Sequence, residues 1–450
     1  LFSCTSYGLL IKTSNIGIGL TDTIVFVPWG AGAVIIATLL NTHTSAGWRW
    51  CYYISIIYGT VGLIGTAIFY FPPSRPQHDH ERSRCQQIKD LDYIGIALYT
   101  VGLTILEIGL TWGGSAGHPW TSASTLAPII LGFFTMCACF IYDFTLAREP
   151  MFPPKLLKMT GEFTLLLVIV FVAGMVYFSM SGLSPQVTLY SFTKDPIQIG
   201  ITALPSGFGI TFFGGIFTLF IGKIGHLKIL MLALLVIQTV SIALYSVAVP
   251  GNKTAWMAFQ FFGYGPFAPI TILCYLMAGL NVPLKYLGVA TGLIGTFRCL
   301  GGAVGTSLFS AILSNLVNEQ LPRRVGEAAE NNGFPASSLS LLIPAAINDA
   351  QGVPNAFAKL SGVTPAVESA VQTAVKEAYG YALKRVFWSS IPFGVLALIC
   401  AFFLQDPSKY LTNHTAVHME KGGVADHAAH TSEVEKSSAT AEEYGIRRAA

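Results

Sequence analysis

Apolar stretches of roughly 20 residues recur ten times along the chain, at about 16–40, 51–71, 93–112, 124–146, 163–183, 199–222, 229–249, 255–279, 287–313 and 383–404. Each is long enough to cross a hydrocarbon core of about 30 Å as an α-helix, and a helix satisfies its own backbone N–H and C=O groups there. Short polar loops separate most of them. A further apolar run of about 11 residues precedes Lys12 and is too short to cross alone, so it is expected to be the end of a helix that starts before Leu1. The pattern predicts an all-α, polytopic helical membrane protein, a fragment with ten complete transmembrane helices and one partial one.

Composition sharpens this. Hydrophobic residues make up 52% and charged residues 11% of the 450 positions, with a mean hydropathy of +0.58. A soluble domain needs more charged surface than that. Lys and Arg then orient the chain. Lys12, Arg75, Arg82, Arg84, Lys89, Arg148, Lys155, Lys158, Lys223, Lys228 and Lys285 fall in loops on one side, against Arg49, Lys194 and Lys253 on the other. Eleven against three places the first side in the cytoplasm. The tail 406–450, polar and without apolar periodicity, falls on that side and is expected to be disordered. The long connection 314–382 is external or lumenal. Its segments SLSLLIPAAINDA and TPAVESAVQTAVKEAYGYALKRVFW suggest amphipathic helices, the second running into the final span. A cap against the membrane surface is the expectation there, with a gating role as the other reading.

Several kinds of chemistry lack their parts. The eight cysteines lie mostly in or beside spans with no CxxC pair, and His78 and His80 stand in a charged loop, so no metal site and no cofactor are expected. The spans hold no HxxxH pair, no clustered carboxylates and no nucleophile beside a base, which argues against an enzyme. A net charge of +3 spread over loops makes no basic face for nucleic acid.

The charges that do fall inside spans are candidates for function. Arg298 lies deep in VATGLIGTFRCLGGAVGTSLF, where it serves either as a structural clamp or in substrate binding and coupling. Asp22 is a candidate for proton coupling, Glu107 for an interface, and Asp143 for a helix-end charge at the headgroups. Tyr177, Gln186 and Tyr190 along one span, with Gln260 and Tyr264 in another, offer a polar aromatic wall for a bulky, partly polar solute. For Tyr190 the alternative is an interfacial belt. Small and bending residues recur at Pro28, Gly30 and Gly32, in GYGPFAP with Gly265 and Pro266, and at Gly288, Gly292, Gly301 and Gly305. They suit either close static packing or gating motion.

At these positions the chain resembles a known family. GWRWCYYI at Gly47 to Ile54 is similar to the signature after the fifth helix of fourteen-helix drug:proton antiporters of the major facilitator superfamily. HPWTSAS at His118, MFPPKLLK at Met151, SPQVTLYSFTKDP at Ser184 and RCLGGAVG at Arg298 resemble the fungal trichothecene efflux pump group. The resemblance covers about 1–410. Val27 stands where the antiporter motif has Gly before Pro, so that motif carries over to Pro28, Gly30 and Gly32 only in part.

The resemblance implies the major facilitator fold, with 1–71 ending the first helix bundle, two extra linker helices in 93–146, and 163–404 forming the second six-helix bundle. It implies export of a small toxin or drug by alternating access in exchange for protons, by a monomer whose other partner is membrane lipid. The plasma membrane is the expected site, with a vacuolar or other internal membrane as the alternative. Siderophore-iron uptake by a related group, or a transporter-like receptor, are the other functions that such a sequence supports.

Overall fold

The computed structural model describes residues 43–70 and 89–407, apart from 46, 48, 90, 114–117, 148–149, 218–225, 284–285, 336–337, 354, 359 and 361. The expected span 16–40, with Asp22, Pro28, Gly30 and Gly32, lies outside the described residues, as does the tail after Pro407.

The helices are α1 (Arg49–Phe69), α2 (Tyr93–Trp112), α3 (Ala123–Thr145), α4 (Leu165–Ser191), α5 (Pro196–Ile210), α6 (Leu227–Ala248), α7 (Lys253–Tyr264), α8 (Phe267–Asn281), α9 (Leu287–Asn331), α10 (Leu339–Ala350) and α11 (Pro365–Phe403). π-helical turns lead into α4 at Thr160–Thr164 and out of α5 at Thr211–Phe217. Among the described residues nine stretches are long and apolar enough to cross a membrane, α7 and α8 together making one of them. They correspond one for one to the expected spans that fall on described residues.

Polar residues mark where helices begin. Asp92 caps α2 by accepting from Gly95 N, and Asn252 caps α7 by accepting from Ala255 N. Asp195 and Thr364 cap α5 and α11, each followed by Pro at the first helical position, where its missing N–H leaves no gap. Along α6 the two faces separate cleanly. Ile229, Val236, Val240 and Val247 are exposed and face the lipid side, whereas Met231, Leu234, Leu235, Ile242 and Tyr245 are buried. Apolar side chains outside as well as inside are what a bilayer permits.

Helix α4 packs on α9, α11 and α8, while α6 packs on α11 and α7, and α5 on α7. Glycine sets the closest of these contacts. A Cβ built on Gly301 would lie 2.0 Å from the Phe171 carbonyl oxygen, and one on Gly305 would strike Met175 and Ser179. Backbones that touch in this way gain the dispersion contact that lipid does not otherwise drive. Gly288 and Gly292, on the same helix, have open space around them instead, so the glycine pattern read in the sequence is two features and only its second half is a helix interface.

The connection 314–382 is largely helix. At 45 residues α9 is about 67 Å long and α11, at 39 residues, about 58 Å, far more than the hydrocarbon core needs. The surplus turns of both, with α10, extend the core of the spans: Val325, Ala329, Leu342, Val367, Val371 and Ala378 are fully buried. Arg324 pairs with Glu377 at 3.3 Å on its surface, and Lys194, between α4 and α5, pairs with Asp349 at 2.7 Å.

Candidate functional site

Of the polar and aromatic residues expected to form a wall, Tyr177 and Tyr264 come together where α4, α7 and α8 meet. Gly265 and Pro266 interrupt the crossing Lys253–Asn281 between α7 and α8, because proline has no N–H to return to the preceding turn. The break leaves room for close approach. A Cβ on Gly265 would fall 2.3 Å from the Phe213 ring, and one on Gly209 of α5 would fall 2.3 Å from the Phe261 carbonyl oxygen. With α7 held on α5, Tyr264 and Phe267 on either side of the break face α4. Tyr177 stacks on Phe267 with centroids 3.9 Å apart and planes 4° apart, and meets Tyr264 edge-on at 5.8 Å.

Behind the rings runs a buried polar tie. Ser184 Oγ donates to Gln260 Oε1 at 3.2 Å, and Gln260 Nε2 donates to the Thr202 carbonyl at 3.1 Å. Gln260 is fully buried. Its amide joins α4, α7 and α5. Ser184 lies beside the Tyr264 phenol as well.

Arg298 completes the arrangement from α9. Its charge is felt by Tyr177 of α4 and Tyr275 of α8. The side chain is half-buried. Its Nε is buried without a hydrogen-bond partner among the described residues. Tyr275 also rests against α9, its hydroxyl 3.4 Å from the Cβ position of Gly295. Two aromatic faces, a phenol edge and a guanidinium can hold a bulky solute by apolar contact and a few directed hydrogen bonds.

The sequence comparisons decide the family to which this architecture belongs. Residues 10–443 match the family described as Fungal trichothecene efflux pump (TRI12). The chain belongs to that family. It is 27% identical over 376 residues to the trichothecene efflux pump TRI12 of Fusarium sporotrichioides, covering 82% of this chain and 62% of that protein. It is 27% identical over 414 residues to the MFS-type transporter prx5 of Penicillium rubens, covering 90% of this chain and 73% of the relative. It is 26% identical over 391 residues to the efflux pump FUS6 of Gibberella fujikuroi, covering 84% and 65%. The chain thus spans about three-fifths of the length of the Fusarium pump. It is a multi-pass membrane protein with the helical fold of the major facilitator superfamily.

In this family member the remaining candidates lie away from the wall. Tyr190, at the outer end of α4, stacks on Tyr379 of α11 at 3.7 Å and belongs to the cap. Gln186 is exposed near the same end. Glu107 of α2 is an interface residue, accepting from the Ser307 hydroxyl of α9 at 2.6 Å, with Thr111 Oγ1 3.2 Å from the same hydroxyl. Asp143, expected among the headgroups, is buried instead. The chain after α3 folds back so that Phe152 N donates to Asp143 Oδ2 at 2.9 Å, and the Phe152 ring seats against Tyr99, Phe140 and Phe297. That one ring joins α2, α3 and α9.

Phe267, Tyr275 and Ser184 did not stand out in the sequence. Tyr264, Phe267 and Tyr275 recur at helical spacing along one face, which would have grouped them, but the GYGP break hides that periodicity.

Proposed function

We propose that this chain is the greater part of a secondary active exporter, which moves a bulky, partly apolar compound of toxin or drug type outward by alternating access in exchange for protons. Membership of the efflux pump family supports export. The observation that carries the reading is the cluster of Tyr177, Tyr264 and Phe267 beside Arg298, inside membrane-spanning helices. Relatives named trichothecene efflux pumps support a cargo of that class. No bond-making chemistry is required of it.

In this reading 1–71 closes the first bundle, α2 and α3 link the halves, and residues 163–404 rock as the second half about a site near the midplane. Gly301 and Gly305 seat α9 on α4 so closely that the two move as one body, and Gly265 and Pro266 supply the bend that gates the site. Asp22 is the proton-coupling carboxylate. A charge moving down the membrane potential is worth about 2.3 kcal/mol per 100 mV, enough to bias the outward-facing state. The protein works as a monomer in the plasma membrane.

The test uses the full-length protein in cells lacking their own drug pumps. Labelled trichothecene should be retained several-fold less than in vector controls, and a protonophore should abolish the difference. Equal retention would sink the export reading, and accumulation of a ferric siderophore would replace it with uptake.

A further inference from the structure

The described residues hold a cation without a counter-ion in the place where a solute would bind. From Leu287, Arg298 lies 11 residues into α9, about 17 Å along the helix axis and near mid-membrane. A guanidinium at that depth is costly unless something meets it. The Arg298 side chain makes no hydrogen bond or ion pair with another described residue, and its buried Nε has no partner among them. The spans that build the wall offer no anion. Leu165–Ser191, Lys253–Asn281 and α9 from Leu287 to Asn318 contain neither Asp nor Glu. On α2 and α3, two carboxylates each have one oxygen engaged elsewhere. Glu107 accepts from Ser307, nine residues farther along α9, and Asp143 accepts from the Phe152 backbone.

The rings around Arg298 reinforce the asymmetry. Half-buried Tyr177, its ring backed by the buried Phe267, and half-buried Tyr275 present the apolar faces, and Tyr275 brings a phenol beside the guanidinium. A solute whose ring system lies along these faces would place a polar substituent at Arg298. An oxygen acceptor there receives N–H donors from a planar fork suited to carbonyl and carboxylate geometry. An ammonium there meets a like charge in a poorly solvated site, and like charges set side by side are how sites reject wrong partners.

Resting on the export reading above, we propose that Arg298 sets substrate class: the wall takes bulky apolar compounds that present a carbonyl, ester or carboxylate oxygen, and it rejects organic cations. Neutral and anionic acceptors share this chemistry. The probes separate them.

Three probes carry one fluorescent polycyclic ring with a methyl ester, a carboxylate or a trimethylammonium group, loaded into pump-deficient cells expressing the full-length protein. Wild type should clear the ester, the carboxylate or both, and leave the ammonium at the vector level. Losing a hydrogen bond to a charged donor weakens binding by roughly 10- to 100-fold, so Arg298→Gln should lose clearance of the ester by about that factor at limiting probe, and Arg298→Lys should retain part of it. Thermal shift of purified wild type needs no variant: the melting temperature should rise with the oxygen-bearing probes and stay unchanged with the ammonium. Ammonium clearance equal to that of the ester, or wild-type clearance by a well-expressed Arg298→Gln variant, would overturn the proposal. If labelled trichothecene is exported and none of the three probes is, substrate class by Arg298 fails and export stands. If trichothecene is retained too, both fail.

Discussion

Gly174 of α4 lies directly against the backbone of Arg298 on α9: a Cβ there would stand 2.2 Å from the Arg298 carbonyl oxygen. The proposed site is therefore set by a contact on the backbone of the residue that carries its charge. An alanine at Gly174 forces the two helices apart and displaces the guanidinium with them. Gly174→Ala should destabilise by about 1–3 kcal/mol, the usual result of overpacking, and lower transport at matched expression. Gly182, on the same helix with open space around it, is the control, and Gly182→Ala should be neutral or slightly stabilising. Thermal melts in detergent compare the two. Equal melting of both variants would mean that the α4 to α9 contact gives way without cost.

Tyr177 divides hydroxyl from ring. Because its stacking on Phe267 uses the face of the ring, Tyr177→Phe should keep export within about threefold, whereas Tyr177→Ala removes an aromatic contact worth about 0.5–1.5 kcal/mol beyond its area and should raise the KM about tenfold. Concentration-dependent efflux reads this directly. A larger loss for Phe than for Ala would assign the hydroxyl, rather than the ring, to the cargo.

The Gln260 amide joins α4, α7 and α5. Gln260→Leu leaves the Thr202 carbonyl without that donor and Ser184 without that acceptor, so it should cost about 1–3 kcal/mol. The melting temperature should fall, and the KM of the remaining folded protein should change little. A large KM change with unchanged melting would make Gln260 a cargo contact instead.

The bond from Ser307 to Glu107 ties α2 to α9. In a double-mutant cycle of Glu107→Gln and Ser307→Ala, the stability coupling should reach about 0.5–3 kcal/mol, as for residues in one hydrogen-bonded pair. Additive losses would show that α2 is held by packing alone.

The ion pair from Lys194 to Asp349 is exposed, with 43% of the lysine side chain accessible. Exposed pairs contribute about 1 kcal/mol or less, so Lys194→Ala should scarcely move the melting temperature. Tyr379→Ala should lower it clearly, because that ring is buried and stacked on Tyr190. The cap is held by rings and aliphatic side chains, and the reverse order of effects would reverse that ranking.

By itself the sequence determined the crossings. Hydrophobic runs such as Leu227–Ala248 answer to the thickness of the bilayer, a one-dimensional constraint that length and polarity along the chain express fully. It also located the break at Gly265 and Pro266, since proline's missing donor is a local property. Which side chains meet was decided only in three dimensions. Gly301 and Gly288 look alike in sequence, yet one rests on the Phe171 carbonyl and the other has nothing within 4 Å, because rotation of α9 about its axis is set by its partners. Asp143 reads as a terminal charge until the chain folds back and Phe152 donates to it. The turns of α9 past residue 313 read as part of a long connection because polar residues interrupt the apolar run there, whereas TPAVESAVQTAVKEAYGYALKRVFW already suggests a helix running into the final span, as α11 does. Arg298 could be seen from the sequence as a charge out of place. That Tyr177 and Tyr275 flank it, and that two carboxylates on α2 and α3 each have one oxygen engaged elsewhere, follows from helix packing that no local pattern records.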